Sequence, residues 1–331
     1  MQQTILMIGG AGYIGSHVAY LASKQYRVIL LDALLHGQVF AHPWATFVRG
    51  DYGDKTLLEA LFSQNRIDAV MHFAGHIEVG ESVRNPLSYY HNNVANTITL
   101  LQVMRAYACN TLIFSSSCAV YGAPQYTPIN EEHPCNPMSP YGKTKAIIEQ
   151  LLYDCDHAYG IKYVSLRYFN AAGALPQHGL YEQHHPETHL IPLLIRAAYQ
   201  QTPFSIFGTD YDTPDGSCIR DFLHVVDIAE AHVRALDYLN QGNASLCCNL
   251  GTGHGISVKQ VIAMVERVIG LGISVIEKSR RPGDPAVLVA DASKAEAILG
   301  WQALKSDFEG IIQDALPTAY RVKQFQYQKI Q

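Results

Sequence analysis

Thr4-Ile5-Leu6-Met7-Ile8-Gly9-Gly10-Ala11-Gly12-Tyr13-Ile14-Gly15 decides the fold. Its first five residues form a short β-branched, apolar run of the kind that makes a buried strand. The glycines follow at once, and a helical pattern continues through Ser23. Gly9, Gly12 and Gly15 serve, in turn, a tight turn, a close backbone approach to a pyrophosphate, and close contact of helix with strand. The helix N-terminus then offers unpaired N–H groups to phosphate. A bare glycine turn is the alternative reading of such a motif. Here strand, glycines and helix come in the required order, and a second strand, Arg27-Val28-Ile29-Leu30-Leu31, ends in Asp32. An acid at that distance holds an adenosine ribose 2′-OH and repels a 2′-phosphate, so the pattern predicts a dinucleotide site for NAD rather than NADP.

Outward from this unit, strand-like and helix-like segments alternate. Phe47–Asp51, Ala69–Gly75, Leu112–Ser117 and Tyr163–Phe169 read as the third to sixth strands, with amphipathic helices at Asn92–Tyr107 and Tyr141–Tyr159. Such alternation predicts an α/β fold, a Rossmann-type doubly wound parallel sheet with ligands at the carboxyl ends of its strands. After about residue 170, Gly, Pro, His and Asn become frequent, as in Ala171–Pro186 and Phe207–Ser217. This texture predicts a smaller, loop-rich α/β substrate domain. Leu223–Asp227 and Cys247–Gly251 read as segments returning to the main sheet and its surroundings. The expected division is therefore residues 1–170 for the cofactor, with returning segments near 221–251, and residues 171–220 and 252–331 for the substrate.

Tyr141-Gly-Lys-Thr-Lys145 places a phenol and an ammonium one helical turn apart. A nearby cation favours the phenolate, so this pair, with a cationic cofactor, is expected to bring Tyr141 toward neutral pH as a base. Ser117 ends the fifth predicted strand and is expected to share the substrate's proton. Tyr20-Leu-Ala-Ser-Lys24 has the same spacing, and either copy alone reads as a helix-surface pair. Tyr20 belongs to the first helix, which buries one face against the sheet, so Tyr141 is the candidate.

The 331 residues are 48% hydrophobic, enough for a substantial core and more than one typical domain. A net charge of −5 with no basic run argues against a nucleic-acid partner. No apolar run is long enough to span a bilayer, and no signal-like segment opens the chain. The seven cysteines form no Cys-x-x-Cys pair, which reads as reduced thiols and a cytoplasmic location. Cys247-Cys248 reads as part of a buried strand.

From about Thr4 to the Arg321 region the chain resembles the UDP-glucose 4-epimerases of the extended short-chain dehydrogenase/reductase family. The carriers are Gly-Gly-Ala-Gly-Tyr-Ile-Gly-Ser-His at 9–17, His-Phe-Ala-Gly at 72–75, Val-Gly-Glu-Ser at 79–82, Asn-Asn-Val at 92–94, Phe-Ser-Ser-Ser at 114–117, Val-Tyr-Gly at 120–122 and Ser-Pro-Tyr-Gly-Lys-Thr-Lys at 139–145. Arg-Tyr-Phe-Asn at 167–170, Ile-Arg-Asp-Phe-Leu-His-Val at 219–225 and Arg-Arg-Pro-Gly-Asp-Pro-Ala at 280–286, with Glu-Thr-His-Leu at 187–190, point to a sugar-nucleotide epimerase.

The resemblance implies catalytic roles for Tyr141, Ser117 and Lys145. It implies NAD contacts from Gly9, Gly12, Tyr13, Ile14, Gly15, Asp32, Asp51, Tyr52, Phe73, Ala74, Gly75, Asn92, Ser115, Tyr141, Lys145 and Tyr168. For a UDP-hexose it implies Arg220 and Arg281 on the diphosphate, where guanidinium forks suit phosphate. Asn170 also meets the diphosphate, Asp284 the ribose, and Ser205 and Phe207 the uracil, with the backbone of His189 and Leu190. Arg220 and Arg281 read equally as ion pairs with Asp221 or Asp284, and Phe207 as a core residue. His184, His185 and His189 include a His-x-x-x-His spacing, but Pro186 interrupts it and no acidic or Cys ligand is expected to complete a set, so no metal is predicted.

The implied reaction is reversible. Tyr141, assisted by Ser117, removes the proton from the sugar 4-OH, the C4 hydride passes to NAD⁺, the 4-keto sugar turns about its pyrophosphate link, and hydride and proton return to the other face. A sugar-nucleotide 4,6-dehydratase also needs an acid and a base beside the serine, where this chain has Cys118 and Ala119. An NAD-sensing protein has no use for Ser117, Tyr141 and Lys145 together, and an ordinary dehydrogenase none for the two arginines. A 4-epimerase of another UDP-sugar is the nearest rival. Leu288 stands where a bulky Tyr is associated with restriction to non-acetylated hexoses, so the smaller Leu extends the expected range to N-acetylated sugars. Ile77 replaces a Lys often found near the cofactor. The family's homodimers are built on two helices per subunit, corresponding to Asn92–Tyr107 and Tyr141–Tyr159, whose Leu101, Met104, Ile148 and Leu152 suit either that interface or the core.

Overall fold

The apolar run Thr4–Ile8 becomes the fully buried strand β1 of a computed structural model that describes residues 2–34, 44–184, 186–281 and 283–317. His185 and the Arg321 end of the resemblance lie outside the described residues. Then come β2 (Arg27–Asp32), β3 (Ala45–Arg49), β4 (Ala69–His72), β5 (Thr111–Ser115), β6 (Lys162–Tyr168), β7 (Asn170–Ala172), β8 (Phe204–Phe207), β9 (Ile219–His224), β10 (Leu246–Leu250), β11 (Gly255–Ser257), β12 (Val275–Lys278) and β13 (Val287–Leu288). Seven form a sheet in the order β10-β6-β5-β4-β1-β2-β3, and every neighbouring pair is parallel. The chain moves outward from β1 to β3 and then restarts at β4 on the other side of β1. A crevice opens where the winding reverses, beyond the carboxyl ends of β1 and β4.

The side-chain period of two assigns each strand to two cores. Ile5, Met7, Val28 and Leu30 join the cluster under the helices Tyr13–Ala22 and Val225–Asn240. Leu6, Ile8, Ile29 and Leu31 join the opposite cluster, under Lys55–Gln64, Asn96–Ala106 and Pro140–Tyr159. Leu101, Met104, Ile148 and Leu152 all belong to this second core, at 0–5% exposure, so within one chain they are core residues. A third core, including Ile191, Leu194, Val261 and Ile311, supports the remainder of the chain.

Several boundaries differ from the sequence reading. The third strand is Ala45–Arg49, which leaves Asp51 beyond its end. The fifth strand stops at Ser115, so Ser117 begins the loop after it, where its Oγ accepts from Ala119 N at 3.2 Å. The helix expected at Asn92–Tyr107 is two pieces, a π-helical turn Tyr90–Ala95 and the α-helix Asn96–Ala106. Within the π turn, Asn93 closes on the loop after β4: its Oδ1 accepts from His76 N at 2.7 Å and its Nδ2 donates to His76 O at 3.0 Å. Side-chain bonds of this kind distort a helical ladder, and π turns recur at functional sites. Cys247 and Cys248 do return, in the edge strand β10. Leu223 and His224 instead end β9, which pairs with β7, β11 and β13 in a second sheet. Val225–Asp227 open the helix Val225–Asn240, whose buried face belongs to the first core.

Three buried histidines make this fold acid-labile. His17 and His232 are lowered to about 4, and His72 to about 3, chiefly by burial, with Lys145 adding to the effect at His72. The unfolded chain takes up these protons near ~6.5, so the stability they confer is complete above that pH and is lost as pH falls toward 4. Three protons correspond to a slope approaching about 4 kcal/mol per pH unit. Urea unfolding between pH 7 and 4.5 is expected to show this steep fall, and a flat profile down to pH 5 would contradict it.

Candidate active site

The turn after β1 is built for a ligand that approaches the backbone. Gly9 has φ +75°, and a Cβ there would lie 2.6 Å from Ala74 N. Gly12 caps the helix Tyr13–Ala22 and faces open space, because a Cβ added to it meets only Gly9 O, at 3.4 Å. Asp32, at the end of β2, holds the turn in place: Oδ2 accepts from Ala11 N at 3.0 Å and Oδ1 from Leu34 N at 2.8 Å. Each oxygen keeps a lone pair for a further donor, as a diol requires. Tyr13 donates to Gly173 O at 2.6 Å, which ties the loop to the chain after β7.

These residues line one cavity of about 860 Å³. Every site residue named from the sequence also lines it: Ile14, Gly15, Asp51, Tyr52, Phe73, Ala74, Gly75, Asn92, Ser115 and Tyr168, together with Ser117, Tyr141 and Lys145, and with Asn170, His189, Leu190, Ser205, Phe207, Arg220, Arg281, Asp284 and Leu288. Ile77 lines it too. Tyr20 does not; its hydroxyl meets His178 Nε2 at 2.8 Å and its ring packs on Trp44. Several polar atoms already have protein partners. Tyr52 donates to Asn92 O, Tyr168 bonds to Ser115, and Asn170 Nδ2 donates to Asp221 O at 2.9 Å.

Ser139 caps the long helix by accepting from Gly142 N, and Pro140 occupies its first turn. Tyr141 and Lys145 follow on one face. Lys145 is 3% exposed and donates Nζ to Ser115 O at 2.8 Å; Nζ also lies 5.9 Å from the Tyr141 ring centroid. Burial lowers this ammonium to about 8, against the raising effect of Glu149. Burial raises the Tyr141 phenol to about 12, and the Ser117 hydroxyl pulls it down only in part. Without a further cation, Tyr141 is a protonated acid at neutral pH. One turn beyond Lys145, Glu149 accepts from Arg167 and from Ser116 Oγ at 2.5 Å, and Arg167 bonds Tyr121 at 2.9 Å. This buried network anchors the helix that carries the pair.

Arg220 is ion-paired: Nη2 lies 2.5 Å from Asp284 Oδ1, and Nη1 donates to Ile219 O at 2.8 Å. The second suggested partner, Asp221, does not meet an arginine. It is fully buried and accepts from Thr252 N and Oγ1, Gly253 N and Ala290 N. The Arg281 guanidinium lies 4.1 Å from the Phe207 ring centroid, a cation–π contact. Leu288 packs beside Val120, Tyr121 and Phe169 while still lining the cavity.

Sequence reasoning missed Glu182, which lines the same cavity, and weighed His184, which also lines it, only as a metal ligand. It also held that no acidic residue completes the His-x-x-x-His spacing. His185 of that spacing lies outside the described residues, but Glu182 and Glu187 do stand with His184 and His189, their donor atoms within 4.8 Å of one another. The spacing argument assumed a helix, whereas Glu182, His184, Glu187 and His189 stand outside any helix. Among the other lining residues, Arg196 on the helix Leu190–Gln200 is a further cation.

Comparison with known proteins gives a consistent result. Residues 5–251 match the NAD dependent epimerase/dehydratase family. The chain is 47% identical over 313 residues to the UDP-glucose 4-epimerase of Halalkalibacterium halodurans, covering 94% of each chain. It superposes on the UDP-glucose 4-epimerase of Brucella ovis, solved with NAD, at a TM-score of 0.93 and 44% identity, covering 96% of this chain and 98% of that one. The Bifidobacterium longum UDP-glucose 4-epimerase, solved with NAD⁺ and UDP, gives 0.90 at 39% identity, covering 97% and 98%.

Proposed function

Because the chain belongs to the NAD dependent epimerase/dehydratase family, we propose that it interconverts UDP-galactose and UDP-glucose. The observation that carries this reading is one cavity lined together by the Gly9 turn, Asp32, Tyr141, Ser117, Lys145, Arg220 and Arg281. The glycine turn fits a pyrophosphate, since the space a Gly12 side chain would fill is open, and Asp32 fits a ribose diol. When bound there, NAD⁺ supplies a hydride acceptor for sugar C4 and a positive charge beside the phenol. Lys145 holds a second cation in the same water-poor region, and both work against the burial that keeps Tyr141 protonated.

Tyr141 takes the proton from the sugar 4-OH and later gives it back, with Ser117 sharing that proton at its hydroxyl. Arg220 and Arg281 hold the diphosphate, and Phe207 and Ser205 the base. Binding strength is thus placed on the nucleotide, which stays, and not on the hexose, which must present both faces to one phenol. The residues 171–220 and 252–331 are assigned to the nucleotide-sugar, and 1–170, with returning segments near 221–251, to the cofactor. The helices Asn96–Ala106 and Pro140–Tyr159 expose Ile98, Ile147 and Tyr153, which suits a homodimer contact that sedimentation equilibrium reads. Among the described residues no helix is long and apolar enough to cross a membrane.

Purified protein given UDP-galactose, with no added nucleotide, is expected to yield UDP-glucose. Absence of product from any UDP-hexose, even after NAD⁺ is added, overturns the reading. UDP-N-acetylgalactosamine in parallel tests the room left by Leu288. Arg220→Ala removes a charged partner of the diphosphate, an interaction of about 1.5–3 kcal/mol. KM is expected to rise about tenfold to a hundredfold with kcat nearly unchanged; an unchanged KM removes Arg220 from the diphosphate site.

A further inference from the structure

We propose that Glu182, His184, Glu187 and His189 form a binding site for one Zn²⁺ ion at the cavity wall, which Glu182, His184 and His189 line. The four N···O separations are 3.5 Å and 3.9 Å from His184 Nδ1 to Glu182 and Glu187, and 2.7 Å and 3.3 Å from His189 Nδ1 to the same two carboxylates. Ligands bound at ~2.0–2.1 Å in a tetrahedron stand about 3.3 Å apart, and the observed set brackets that spacing. Hydrogen bonding alone leaves the cluster incomplete: His184 Nδ1 is buried and makes no hydrogen bond, although it faces two carboxylates. A buried, unpartnered ring nitrogen aimed at two anions is an open ligand position.

Outer contacts hold the donors in this arrangement, as they do around metal ligands generally. Glu187 Oε1 accepts from Thr188 N at 2.8 Å and from His189 N at 2.9 Å. The His184 ring stands edge-on to Tyr13, with centroids 6.5 Å apart. Two imidazoles and two carboxylates select Zn²⁺ over the oxygen-seeking Mg²⁺ and Ca²⁺ and leave a Zn²⁺ site without net charge. The ion would tie Glu182 and His184, whose ring meets Tyr13, to Glu187 and to His189, the N-cap of the helix Leu190–Gln200.

The test uses the full chain, loaded with Zn²⁺, dialysed, and measured for metal by mass spectrometry. One Zn²⁺ per chain is expected, with no Mg²⁺ retained under the same treatment. Co²⁺ in its place is expected to give the visible d–d absorption of a tetrahedral site. His184→Ala and Glu187→Gln should each weaken Zn²⁺ binding at least tenfold and abolish the Zn²⁺-dependent rise in melting temperature, while circular dichroism reports an intact fold. Zn²⁺ retained equally by both variants means binding elsewhere on the chain and overturns the site. So does absence of saturable binding in the unaltered protein. The readouts are independent of turnover, so they stand apart from any failure of the epimerase assay.

Discussion

Tyr141→Phe is expected to lower kcat by about a hundredfold to ten-thousandfold, the range of a lost general acid–base group. Phe keeps the ring and removes only the hydroxyl. Tyr141 therefore gives up no part in the long helix, which is capped by Ser139 and anchored through Glu149 and Arg167. The bound cofactor and the affinity for UDP should stay as they are, so the loss falls on kcat and not on KM. Ser117→Ala should lose less, because Ser117 only shares the proton. The contrast is set by burial: a phenol pushed to about 12 without cofactor gains basicity from the charges that arrive with it. Activity within tenfold of the unaltered enzyme in Tyr141→Phe would remove the phenol from proton transfer.

The second large effect is on the cofactor. Gly9→Ala is expected to yield protein that purifies without NAD, with affinity down at least about a hundredfold. A left-handed backbone costs an L-residue about 1–2 kcal/mol, and here the new methyl would also stand 2.6 Å from a backbone nitrogen, Ala74 N. Neither the turn nor the loop after β4 can yield without moving the wall of the dinucleotide site. Gly160→Ala is the matched control. Gly160 has a similar φ of +71°, but a Cβ there meets nothing within 4 Å, so it should cost stability alone and keep NAD. The ultraviolet spectrum of the denatured supernatant reads both, and normal NAD content in Gly9→Ala would contradict the steric account.

What the sequence disclosed depended on how local each cause was. The strand Thr4–Ile8, its glycine turn and Asp32 are legible because each residue's task is fixed by near neighbours and by backbone geometry. Ser117, Tyr141 and Lys145 could be placed because parallel strands open their carboxyl ends to one crevice. The π turn at Tyr90–Ala95 was hidden, since it depends on Asn93 bonding to His76, 17 residues away. The Glu182–His189 cluster was hidden for a related reason: its donors converge through a loop, and no period announces a loop. Leu101 and Ile148 could be assigned to the core only once the opposite face of the sheet was built, because an apolar helix stripe fits an internal neighbour or a second chain equally well.

The Arg220–Asp284 pair has a further consequence. The guanidinium proposed to meet a diphosphate already gives one N–H to Asp284 and another to Ile219 O, so a nucleotide arriving there would share it with an internal carboxylate and compete with that carboxylate for it. An isolated phosphate, with one contact to offer, competes poorly against a tethered rival that is always present. A nucleotide that also gives Asp284 a hydroxyl to hold compensates the displaced carboxylate in the same step. On the proposed reading the pair would work as a built-in competitor, and its selectivity would rest on what the ligand returns to Asp284.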